Sequence, residues 1–278
     1  VSAAGGIDLH THSTRSDGTA SPAELVAQAA EAGLSVVALT DHDTTAGWDE
    51  AAAAAERHGV ELVRGIEMST ELRGRSVHLL GYLFDPDHPP LVAELERILA
   101  GREGRLPAMV ARLTDAGYEL TEADVLAAAP SGAVLGRPHV ADALVARGYV
   151  GHRDEAFATL LGPGGVGYVP RYGTPLEDAV RILTEAGGAT VVAHPWGRAR
   201  ALQPDDLARL SVLGLAGVEV DHQDHTPEQR AELGSLARSM DLVATGSSDF
   251  HGTGKTDHEL GVNTTDPAEY ARLRERAR

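Results

Sequence analysis

Cysteine is absent from the 278 residues. Disulfides and thiolate metal sites are therefore excluded, and any metal must be held by histidine and carboxylate, a donor set suited to hard or borderline cations. Aromatic residues make up only 4% of the chain, so a core has to be assembled from Ala, Val, Leu and Ile. Lysine is nearly missing: Lys255 is the only one, and Arg carries the rest of the positive charge. No apolar run is long enough to span a bilayer, and the first residues lack the basic, apolar and small-residue pattern of a secretory leader. A cytoplasmic location with no membrane partner is the expectation. A net charge of −17 argues against a broad basic surface for long duplex nucleic acid. It is compatible with a small anionic substrate, because divalent ions held by some of the acids reverse the field locally.

Hydrophobic residues account for 42% of the chain, enough for one main domain with an insertion. Short runs rich in Val, Ile or Leu occur at 7–9, 35–39, 60–66, 77–83, 189–193, 217–220 and 242–244. Their length and composition suit buried strands. Helical patterns lie between many of them. Ser21-Pro22-Ala23-Glu24 reads as a capped helix start, and Gly33 as its stop. Thr174-Pro175-Leu176-Glu177 repeats the start signal, with a stop at Gly187-Gly188. Alternating strand and helix predict an α/β fold with mostly parallel strands. Residues 91–165 break the rhythm: 91–99, 106–116, 121–129 and 139–146 look helical with no strand between them. Residues 1–90 and 166–278 are thus expected to form the main α/β unit, and 91–165 an inserted helical subdomain.

The polar residues after the strand-like runs are of a restricted kind. The first run leads into His10-Thr11-His12, two histidines on one strand face. Asp17 follows in a loop closed by Gly18. The second run spills into Asp41-His42-Asp43, the third reaches Glu67, the fifth leads to His194 and the last to Asp249 and His251. In a parallel barrel the C-terminal strand ends form one rim, where active sites sit. His78 begins its run, but a turn over Arg73-Gly74-Arg75 would place it across a hairpin from Glu67. Taken singly, Asp17 could cap a turn, Glu67 could serve an ion pair, and Asp41 or Asp43 could cap the next helix. Joint placement at strand ends favours a metal cluster. His58, His88 and His258 lie in polar loops or helix ends and read as solvated. His222 and His225 follow the sixth run and are candidates to touch substrate. The glycines at 162–167 precede no Gly-Lys-Ser/Thr and make no phosphate-binding loop.

The segments His10-Thr-His12, Thr40-Asp-His-Asp43, Gly65-Ile-Glu67, Ala193-His-Pro195 and Ser248-Asp-Phe-His251 together resemble the PHP (polymerase and histidinol phosphatase) family. Gly136-Arg-Pro-His139 points within it to stand-alone bacterial phosphoesterases that act on nucleotides. The resemblance implies a distorted TIM-like barrel of seven βα units and two or three divalent ions, Mn, Fe or Zn. By motif, His10, His12, Glu67 and Asp249 would hold the first. Glu67 would bridge to a second held also by His78 and His194. Asp17, His42 and His251 would hold a third, with Asp17 standing where some relatives carry His. The subgroup removes the 3′-phosphate of 3′,5′-bisphosphonucleotides and can trim short RNA from its 5′ end.

The chemistry expected is in-line attack on phosphorus by a hydroxide shared between two metals. No cysteine or conspicuous activated serine suggests a covalent intermediate. Asp249 or His251 is a candidate proton shuttle, and Glu67 the central catalytic carboxylate. Arg137 and His139 on the insertion and Arg198 after His194 are candidate substrate contacts, and Arg171 precedes a helix start; Arg137 and Arg198 are expected to grip a second phosphate, since guanidinium binds phosphate in two-pronged fashion. The rival readings are a histidinol-phosphate-type phosphatase and a non-catalytic metal-bearing module. The sequence assigns no oligomeric state.

Overall fold

The computed structural model describes residues 5–130, 135–170, 172–197 and 202–278. Its centre is one sheet of eight strands: β1 (Gly6–Asp8), β2 (Leu34–Leu39), β3 (Glu61–Leu72), β4 (Arg75–Tyr82), β5 (Thr174–Pro175), β6 (Ala189–Val192), β7 (Gly217–Asp221) and β8 (Val243–Gly246). They run in the order β1-β2-β3-β4-β6-β7-β8, with β5 paired to β3. All these pairings are parallel except β3–β4 and β4–β6. A parallel bridge between Thr11 and Phe250 joins the two ends of the sheet, with the His12 amide donating to the Phe250 carbonyl at 2.9 Å. This is the TIM-like α/β barrel expected, distorted by one reversed strand.

The strands alternate in what they bury, as a pleated strand must. Ile7, Val36, Ala38, Val63, Leu80, Val191 and Val243 form one cluster, joined by Tyr270 and Leu273 of the C-terminal helix (Pro267–Arg276). Val37, Leu39, Ile66, Leu79, Val192 and Val218 pack the other way. They meet Leu25 of α1 (Pro22–Glu31), Ala51 of α2 (Trp48–His58) and Leu183 of α8 (Leu176–Glu185). The α1 start forms as its sequence predicts: Ser21 accepts from the Glu24 amide and Glu24 from the Ser21 amide.

Two readings need correction. The third strand does not end at Glu67 but continues to Leu72, because a hairpin carries it on against β4. Arg73 (φ 53°) and Gly74 (φ 74°) make that turn, the left-handed pair that a two-residue hairpin requires. Thr174 does not cap α8. It sits in β5, and its hydroxyl donates instead to Glu94 Oε1 at 2.8 Å.

After β4 the chain is helical: α3 (Pro89–Glu103), α4 (Arg105–Asp115), α5 (Glu122–Ala128), α6 (Arg137–Ala146) and α7 (Arg153–Ala156), then a wide helical turn over Phe157–Leu161. Leu91 and Ile98 of α3 pack into the barrel cluster. From Met109 to Leu161 the buried side chains form a core of their own, including Leu113, Val125, Val140 and Leu144. Among the described residues no helix is long and apolar enough to cross a membrane.

Candidate metal centre

Glu67 is the hub. It lies inside β3, 1% exposed, and its two carboxylate oxygens face different histidines. Oε1 meets His78 Nδ1 at 2.7 Å and His194 Nε2 at 3.2 Å. Oε2 meets His42 Nδ1 at 3.0 Å, His12 Nε2 at 3.1 Å and His10 Nε2 at 3.2 Å. The hairpin explains how His78 arrives. Its Cα partner is Ser69, so it reaches Glu67 diagonally, two residues along the neighbouring strand.

Asp249 Oδ1 adds a second carboxylate to the His10–His12 pair, 3.5 and 3.4 Å from their Nε2 atoms. Asp17 gathers the remaining ligands. Its Oδ1 is 3.3 Å from His251 Nε2, and its Oδ2 is 3.7 Å from His42 Nε2. Gly18 permits this loop, because a Cβ there would fall 2.3 Å from the His12 carbonyl oxygen. All nine candidate ligands read from sequence therefore converge, in overlapping sets each able to grip one cation: His10–His12–Asp249, His10–Glu67–His194, His42–Glu67–His78 and His12–Asp17–His42–His251; His222–Asp249–His258 forms a further such set. The grouping differs in detail from the motif assignment. His10, His12 and His42 each face two sets, while His78 and His194 meet on one oxygen of Glu67.

The donor geometry fits cations better than it fits hydrogen bonds. His10 Nε2 and His12 Nε2 are only 3.0 Å apart and share the same carboxylate oxygens. His42 Nδ1 is buried beside Glu67 Oε2 yet makes no hydrogen bond. The electrostatics agree. Burial disfavours the imidazolium of His12, but Asp249 and Glu67 overcome it and push its pKa up to about 10. Burial likewise opposes ionisation of Glu67, and the facing His42, His78 and His10 hold its pKa well below the usual carboxylate range. His42, dominated by burial, is pushed down to about 3. A pocket of carboxylates that draws protons onto histidines is one that favours positive charge. His42, His78 and His194 are the partly exposed members, at 15%, 23% and 24% of their side chains, and so mark the open side.

A supporting shell orients the ligands. Glu219, fully buried in β7, takes His10 Nδ1 on Oε1 at 3.1 Å and the His194 amide on Oε2 at 2.7 Å; the Ser247 hydroxyl also donates to Oε1. Bonding Nδ1 turns the lone pair of His10 Nε2 toward the cluster. His251 does the same by placing Nδ1 2.8 Å from the Asp249 carbonyl. Asp41 accepts from the Ser13 amide, the Ser13 hydroxyl and the Ser16 hydroxyl at 2.8, 2.6 and 2.6 Å, bracing the loop that carries Asp17. Asp43 accepts from the Ser69 amide and hydroxyl, both at 2.6 Å. Neither Asp41 nor Asp43 caps the helix that follows, whose cap is Gly47. Asp43, His194 and Asp249 adopt positive φ of 55°, 27° and 53°, a strained backbone held by these contacts, of the kind that concentrates at functional sites.

The substrate candidates are placed unevenly. His225 is 4% exposed and uses both ring nitrogens on backbone, Nδ1 to the Val220 carbonyl and Nε2 from the Trp196 amide. It is a structural brace with no ring nitrogen left for a ligand. His222 accepts from the Asp224 amide and turns Nε2 to Asp249 Oδ2 at 3.3 Å, so it supports a metal ligand from behind. His258 is not solvated: it is 6% exposed and stacks edge-on to His222. His139 accepts from the Gly136 amide at 3.0 Å, shaping the start of α6. Arg137 lies over the Phe157 ring and donates to the Leu161 carbonyl at 3.2 Å. Arg198 and Arg171 lie outside the described residues.

Sequence reading passed over Glu219, Arg153 and Lys255. Glu219 had a signal, an acid in the apolar run Gly-Val-Glu-Val, where a buried charge needs a dedicated partner. Lys255 had one too, as the only lysine. Arg153 had none.

A model of the PHP domain matches residues 8–121. Similarity extends much further along curated proteins. The chain is 37% identical to a 5′-3′ exoribonuclease of Haemophilus influenzae, over 88% of this chain and 89% of that one. It is 36% identical to a 3′,5′-nucleoside bisphosphate phosphatase of Chromobacterium violaceum (92% and 90%) and 37% identical to a phosphoribosyl 1,2-cyclic phosphate 1,2-diphosphodiesterase of Eggerthella lenta (90% and 96%). The chain belongs to the PHP domain family. Its fold agrees: a Bifidobacterium adolescentis protein described as a metal-dependent phosphoesterase superposes with a TM-score of 0.92 at 38% identity, over 99% of this chain and 98% of that one. These relatives are phosphoric ester hydrolases, and this PHP protein is an enzyme of that class.

Proposed function

We propose that the protein is a 3′,5′-bisphosphonucleotide phosphatase that leaves the 5′-monophosphate and also trims short RNA from its 5′ end. The observation that carries the reading is the division of Glu67 between two histidine sets, the arrangement of a carboxylate bridging two ions. His10, His12, Glu67 and Asp249 would hold one ion, Glu67 with His78 and His194 a second, and Asp17, His42 and His251 a third. Mn²⁺, Fe²⁺ and Zn²⁺ all suit these nitrogen and oxygen donors. When bound, such ions polarise phosphoryl oxygens and supply a nucleophilic water at neutral pH.

The chain's own residues do the rest. Glu219 and the Asp249 carbonyl fix the ring orientation of His10 and His251. Asp41 holds the Asp17 loop. The scissile phosphate approaches past His42, His78 and His194 on the exposed side. The inserted helices, whose own core begins at Met109, select substrate, with Arg137 at the start of α6 and Arg198 after His194 gripping the second phosphate.

A non-catalytic module would be expected to have lost ligands, whereas here the set of nine is complete. A phosphatase for small amino-alcohol phosphates would have no use for Arg137 on an insertion. The test is to incubate Mn²⁺-loaded protein with adenosine 3′,5′-bisphosphate, a ribose 1,2-cyclic phosphate and a short 5′-phosphorylated RNA. Rapid phosphate release leaving AMP supports the reading. Turnover of the cyclic ester alone would replace it with a cyclic phosphodiesterase.

A further inference from the structure

Two cations reach the metal ligands of this acidic chain, and they meet at one turn. Lys255 follows the turn Gly252–Gly254 and pairs through Nζ with Asp249 Oδ2. Arg153 reaches the same turn from the insertion, donating to the Gly254 carbonyl at 3.2 Å and to the Asp17 carbonyl at 3.5 Å. Arg153 is itself fixed by a two-pronged pair with Asp142 of α6, Nη2 donating to Oδ2 at 2.6 Å. The guanidinium lies directly against Gly254, where a Cβ would fall 2.5 Å from Nη1. A continuous path therefore runs from α6, the helix that begins with Arg137, through Arg153 and Gly254 to Lys255 and Asp249.

Asp249 does not need Lys255 merely to be held. Its Oδ1 faces His10 and His12, and its Oδ2 already has His222 Nε2 at 3.3 Å. Among the described residues Asp249 is the only hydrogen-bond acceptor of the ammonium, which has three donors. The side chain is 21% exposed, compared with 0% for Glu219 behind the cluster, so it stands on the accessible side of Asp249. Donors on a compact ammonium match an anionic oxygen ligand. We propose that Lys255 binds a phosphoryl oxygen of the substrate beside Asp249, and that Arg153 sets its position from the insertion. This rests on the phosphoesterase reading of the site but not on the nucleotide.

Inorganic phosphate is the probe. Its affinity for Mn²⁺-loaded protein would be measured by calorimetry, with manganese content determined on the same samples. Lys255→Met should weaken phosphate by about tenfold or more, the loss expected for one charge-assisted hydrogen bond, with manganese unchanged. Lys255→Arg should recover most of the affinity. Arg153→Ala should weaken phosphate in the same direction but less, and add little to Lys255→Met in the double variant. Unfolding temperatures would confirm that each variant folds. Unchanged phosphate affinity in Lys255→Met, or manganese lost in step with phosphate, would overturn the proposal; the latter would make Lys255 only a support for Asp249. Failure of wild-type protein to hydrolyse adenosine 3′,5′-bisphosphate would remove the nucleotide assignment and leave the phosphate result standing.

Discussion

Replacing Glu67 by Gln tests the bridge with minimal disturbance of shape. The carboxylate presents two acceptor oxygens to five histidines, two on Oε1 and three on Oε2. The amide keeps one acceptor and turns an NH2 donor toward the other set, so one side of the bridge is lost whichever way it flips. The β3–β4 ladder is backbone-bonded and does not depend on the side chain, so the fold should survive. Electrostatic stabilisers aimed at a transition state are worth about 3–4 kcal/mol each. At about 1.36 kcal/mol per tenfold, losing one side should lower kcat by two to three orders of magnitude. Bound metal, read by elemental analysis, should fall by at least one ion per chain. Full activity with full metal content would refute the bridging role and the reading built on it.

Further predictions concern the surroundings. Glu219→Gln should weaken metal binding by about 10- to 100-fold, the range for outer partners of metal-bound histidines, measured by titration with a metallochromic indicator; unchanged affinity would show that His10 is oriented without it. Arg137→Ala should raise KM for adenosine 3′,5′-bisphosphate by about tenfold and leave an aryl phosphate nearly unaffected; equal effects on both would remove Arg137 from specificity. In metal-free protein His12 has a pKa raised to about 10. Its contribution to stability is complete below about pH 6.5, the unfolded value, and is lost as pH rises toward 10. The depressed carboxyls of Asp17, Glu67 and Asp249 act oppositely. Their contribution is complete above about pH 4 and lost as pH falls through the folded values. Urea midpoints of chelated protein should therefore decline on both sides of neutrality. Metal affinity should rise with pH over the same alkaline range, because each ion displaces protons. A chelated protein whose midpoint climbs steadily from pH 7 to 10 would contradict this balance.

How much was legible in the chain follows from what is local. The strand at Ile7, the capped start at Ser21 and the helices α4 and α6 depend on near-neighbour patterning and emerged where the sequence places them, within a few residues. That the nine candidate ligands come together was legible because most of them follow parallel strands, whose C-terminal ends share one rim; Glu67 and His78 instead lie within β3 and β4. Even the His78 hairpin was readable, since Arg73-Gly74 is a turn signal in itself.

What needed the tertiary structure were facts about pairs. Asp41 and Asp43 have the composition of helix caps, and only the fold reveals that serines 25 to 28 residues away claim them. His225 and His258 look alike as loop histidines; one is consumed by backbone and the other is left with an open nitrogen. Thr174 carries a cap signal, but a long-range partner, Glu94, outbids the local one. Arg153 is one of many arginines until the fold sets it against Gly254. Sequence determined which chemistry this protein can support, because that depends on residue types at strand ends. The tertiary structure decided which residues work together, because a contact between distant segments leaves no periodic trace in either of them.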